Sequence, residues 1–99
     1  GAVITNVTVH CEHYEEPGFG SGDLEWNVGT NWPSSPTTWG TLSPAPVNIK
    51  ERNETTNSWD VTSYVNSTTR VNDLEFRIKN NSGNKKSIQD YIYVTVEWT

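Results

Sequence analysis

The 99-residue chain is long enough for one domain with a small core, which excludes most multidomain enzymes. Val, Ile and Thr number 28 against five Ala, Leu and Met; β-branched side chains suit a pleated sheet where Ala and Leu favour helix, so an all-β chain is expected. A net charge of −5, with Lys85-Lys86 as the longest basic run, argues against a nucleic-acid partner, and the lack of a long apolar stretch argues against membrane insertion.

Along the chain, Val3, Val7, Val9 and Cys11 share one parity while Ile4, Asn6, Thr8 and His10 take the other, the pattern of a half-buried strand. Glu15 to Gly22 (EEPGFGSG) reads as a turn. Leu24, Trp26 and Val28 alternate with polar residues and predict a short strand. Thr30 to Pro46 holds four of the five prolines together with Trp32 and Trp39, and is the longest irregular segment. Val47 to Arg52 is read as a strand with Val47 and Ile49 inward, followed by a polar turn at Asn53 to Asn57. Trp59 to Thr62 resumes a strand, and one helical turn within Ser63 to Val71 would set Val61 beside Val65.

Leu74, Phe76 and Ile78 alternate with charged residues, and Asn80 to Asn84 (NNSGN) is a turn signal. Ile88 to Thr99 predicts the longest strand, with Ile92, Val94, Val96 and Trp98 on one face and Tyr91, Tyr93, Thr95 and Glu97 on the other. Six or seven such strands describe one antiparallel β-sandwich domain over residues 1–99, in the jelly-roll manner.

Trp32 and Trp39 are the first candidates for binding, because the C–H face of a sugar packs on an indole while its hydroxyls reach neighbours such as Asn31. Sequons at Asn6, Asn53, Asn66 and Asn80 suit an exported glycoprotein, extracellular or on a cell surface. A single cysteine, Cys11, excludes a disulfide scaffold. His10-Cys11-Glu12-His13 offers metal donors, but a strand points His10 and Glu12 one way and Cys11 and His13 the other. That favours a buried Cys11 between surface histidines.

No cofactor is expected, with calcium as the exception, for which Asp90 is the first candidate ligand and Asp23 and Asp60 the next. A carboxylate pair for glycoside hydrolysis could be drawn from Glu12, Asp90 and several others, but a domain this small seldom encloses such chemistry, so no enzyme is expected. The alternation of Val3, Val7, Val9 and Cys11 also fits a strand donated to a neighbouring copy in a filament.

The order Trp59-Asp60-Val61-Thr62-Ser63-Tyr64-Val65, Asn72 to Ile78, then Asp90 to Val96 resembles the second half of jelly-roll modules of prokaryotic, especially archaeal, surface proteins and adhesins. Those modules are similar in fold to carbohydrate-binding modules. The resemblance covers residues 57–99. It implies a non-catalytic extracellular module for adhesion, architecture or glycan contact, with glycans or other surface proteins as partners.

Overall fold

The computed structural model describes residues 2–30 and 43–99. Its elements are β1 (Ile4–Glu15), β2 (Leu24–Gly29), β3 (Ser43–Pro44), β4 (Thr55–Asp60), α1 (Thr68–Asn72), β5 (Glu75–Asn80) and β6 (Ser87–Trp98). The described residues are mostly β, in two antiparallel sheets of three strands ordered β4-β1-β6 and β3-β2-β5.

The first strand runs down the centre of its sheet because its alternation has somewhere to go on both sides. Val7, Val9, Cys11, His13 and Glu15 are all buried, and the residues between them face outward. Val7 and Val9 meet Val28 of β2 and the pair Val61 and Val65, which a turn closed by Val65 N–H donating to the Val61 carbonyl (2.8 Å) brings together as the i, i+4 spacing predicts. Aromatic rings join the two sheets: Trp26 on β2 stacks on Trp59 of β4 at 4.9 Å, and Phe76 of β5 lies 5.6 Å from Trp59. The buried cluster itself is all valine, and these partly buried rings pack against it. Ser67 caps α1 by accepting from the Arg70 N–H at 3.2 Å, and Arg70 lies over the Tyr64 ring.

Three expectations are corrected. The register between β1 and β6 slips between Ile4 and Asn6, and this irregularity reverses the parity at the start of β1: Ile4 packs on the core and Val3 is 60 % exposed. Val47 to Arg52 is irregular rather than a strand, and Ile49 is exposed; Asn48 is turned toward Glu15, whose carboxylate accepts the Asn48 backbone N–H at 2.7 Å. The turn expected at Asn53 to Asn57 ends early, because Thr55 already pairs with His13 in β4.

Candidate functional site

Strand pairing builds the outer face of β4-β1-β6 as a grid. His10 lies between Ser58 and Tyr93, Glu12 between Thr56 and Tyr91, and Thr8 between Asp60 and Thr95. Side-chain period two sends all nine outward. The His10 ring stacks on Tyr93 at 4.4 Å with 13° between planes, Nδ1 is 2.7 Å from the Ser58 hydroxyl and Nε2 is 3.0 Å from the Thr95 hydroxyl. Tyr91 and Tyr93 lie 5.1 Å apart, so the half-buried His10 ring and the two exposed tyrosines form one row.

One end of the row is acidic. A second slip, between Glu12 and His13, leaves Asp90 as an extra residue in β6. The bulge sets Asp90 beside Glu12 and Glu54, with carboxylate oxygens of all three within 4.8 Å of one another. Hydrogen bonding to Glu12, then the loss of hydration and the proximity of Asp90, push Glu54 up to about 7. Asp90 was expected as a calcium ligand and lies here, with Glu54 added; Asp23 accepts from the Gly20 N–H and Asp60 from Thr62, both elsewhere. The Thr62 hydroxyl and N–H hold the Asp60 carboxyl below its usual range.

The opposite face of β1 carries a sealed polar network. His13 is 1 % and Glu15 0 % exposed, so the expectation of surface histidines fails at His13. Its Nδ1 is 2.8 Å from Glu15 Oε2 and its Nε2 2.6 Å from Asn57 Oδ1, while the Ser87 hydroxyl donates to Glu15 at 3.0 Å. Cys11 donates to Gln89 at 2.7 Å, and burial, with the Glu15 carboxylate adding to it, pushes the thiol up to about 11. A thiol so poised stays protonated at neutral pH and is a poor nucleophile. With His10 and Glu12 outside and Cys11 and His13 inside, these four do not converge on one point.

Asn31, Trp32 and Trp39 lie outside the described residues. The sequons are at the surface, with Asn53, Asn66 and Asn80 exposed and Asn6 half-buried. Asn6 Nδ2 donates to Asp60 and Asn80 Nδ2 to the Lys85 carbonyl, and Nδ2 is the atom to which a sugar would be attached. Among the described residues no helix is long and apolar enough to cross a membrane. Val7, Val9 and Cys11, expected as a donated strand, are fully buried in a strand paired on both edges within its own chain. Comparison with protein-family models, curated proteins and solved structures gives no match.

Proposed function

We propose that this chain is a non-catalytic module of an extracellular or cell-surface protein, a jelly-roll β-sandwich that makes adhesive or architectural contacts through the outer face of β4-β1-β6, with glycans as the ligand class. The observation that carries this reading is the row Tyr91, Tyr93 and His10 bordered by Ser58, Thr56 and Glu12. Rings offer a flat apolar surface to the C–H face of a sugar, and the bordering hydroxyls and carboxylates pair its hydroxyl groups. The residues are fixed by strand pairing, so little entropy is lost on binding. Asn31, Trp32 and Trp39 are a second contact in the same proposal, and other surface proteins are the partners if the rings bury against side chains instead.

The openness of the carboxylate cluster supports a binding role over hydrolysis. Asp90 on β6 and Glu54 just before β4 lie at the outer face of the sheet, whereas glycosidase carboxylates work in an enclosed, water-excluding site. Calcium at Asp90, with Glu12 and Glu54, stays in the proposal as an accessory that would neutralise this carboxylate cluster. A filament built by donating Val3 to Cys11 would require β1 to leave both β4 and β6, and that cost weighs against it. A glycan array probed with the wild type and with the double variant Tyr91→Ala/Tyr93→Ala tests the reading: the wild type should bind and the variant lose binding. Equal binding by the two would overturn it.

A further inference from the structure

We propose that β6 is a homodimerisation edge, at which two copies of this chain pair antiparallel through residues 91–96 and extend β4-β1-β6 into one continuous sheet. The pairing stands independently of what the outer face binds. Among the described residues β6 is the edge of its sheet along all 12 of its residues, so one side of its backbone presents N–H and C=O groups with no ladder partner. Its inward side is bare as well. Ile92 is 44 % and Val94 38 % exposed, although Cys11 and Val9, which pair with them in β1, are fully buried. The bare strip runs on to Val96 and Trp98, which line an apolar cavity of about 340 Å³ with Ile4 and Val71.

These two vacancies define their occupant. An open backbone edge is satisfied by an extended strand, and a bare apolar strip beside it asks that strand for apolar residues at period two. Folded proteins usually blunt such an edge with charge, proline or a bulge. Residues 91–96 read Tyr-Ile-Tyr-Val-Thr-Val, with none of these; the bulge at Asp90 lies just outside.

Five of these residues, 91–95, meet the demands placed on the occupant, with Val96 falling opposite Asp90. In an antiparallel pair with Tyr93 on the two-fold axis, Ile92 lies opposite Val94 of the second copy on the inner side and Tyr91 opposite Thr95 on the outer side. The flanking Asp90 and Glu97 then face Val96 and Gln89, so no two carboxylates oppose each other. A strand of basic character is not what the segment selects, because its charges stand outside it. Each copy carries −5, so the association strengthens as salt screens that repulsion, the opposite of what a basic partner would show. The dimer also sets two Tyr91–Tyr93 rows side by side on one face.

Sedimentation velocity of the whole chain, from micromolar to millimolar concentration and at low and high salt, tests the proposal alongside Ile92→Lys and Val94→Lys. Both positions are partly exposed, and circular dichroism verifies that each variant folds. The expected result is a monomer–dimer equilibrium that tightens with salt, weakens about tenfold or more in either variant, and slows amide exchange in residues 91–96 as concentration rises. A strict monomer throughout, or a dimer that both lysines leave unchanged, would overturn it.

Discussion

His13 and His10 lie three residues apart on one strand and live in different molecules, chemically speaking. His13 and Glu15 are sealed on the inner face with every contact supplied by the protein, from Asn57, Ser87 and Asn48. His10 and Glu12, the same pair of residue types, stand on the outer face against Tyr93, Tyr91 and a hydroxyl border. A sealed polar group adds to stability only while all its partners remain, whereas an outward one is free to exchange its partners for a ligand. The comparison assigns the inner pair to the fold and the outer pair to contact.

Breaking the inner pair should have the largest effect. Glu15→Ala leaves His13, Ser87 and the Asn48 N–H without their acceptor and should cost about 3 to 5 kcal/mol, read from urea unfolding. Replacing His13 and Glu15 together by apolar residues of similar size should cost less than Glu15→Ala alone, since His13 is no longer left without its partner, although Ser87, Asn57 and the Asn48 N–H still lose theirs. On the same inner stripe, Val9→Ala removes two methyl groups from a fully buried site and should cost about 2 kcal/mol. His10→Ala, on the outer face, should cost about 1 kcal/mol or less in unfolding, because it loses only one exposed ring stack and two solvent-accessible hydrogen bonds.

The smallest effect sharpens the comparison through pH. Glu54 is raised above its unfolded value, so its contribution is complete below about 4.5 and lost as pH rises toward 7. Thermal melts should therefore show stability declining across that window, and Glu54→Gln should flatten the decline. Calcium, if Asp90, Glu12 and Glu54 hold it, should raise the wild-type melting temperature above pH 7 and leave Glu54→Gln less responsive.

Period two was enough to read the inner stripe from Val7 to Cys11, the split of His10 and Glu12 from Cys11 and His13, and the outward Tyr91 and Tyr93. What it missed depends on pairing. Register slips near Ile4 and at Asp90 are properties of two strands together, so neither the inward turn of Ile4 nor the meeting of Asp90 with Glu12 and Glu54 is written in either strand alone. Glu15 looked like the start of a turn because a buried carboxylate is rare without partners, and its partners Asn48 and Ser87 come from distant segments. The stacking of His10 on Tyr93 likewise joins residues 83 positions apart, which only the β1–β6 ladder reveals.

The most direct test of the contact face is amide and side-chain NMR of the whole chain titrated with a glycan chosen from the array. The account predicts shifts concentrated at His10, Ser58, Tyr91, Tyr93 and Thr95, with His13 and Glu15 unmoved. Shifts confined to residues 31–42, with the outer face of β4-β1-β6 silent, would contradict it.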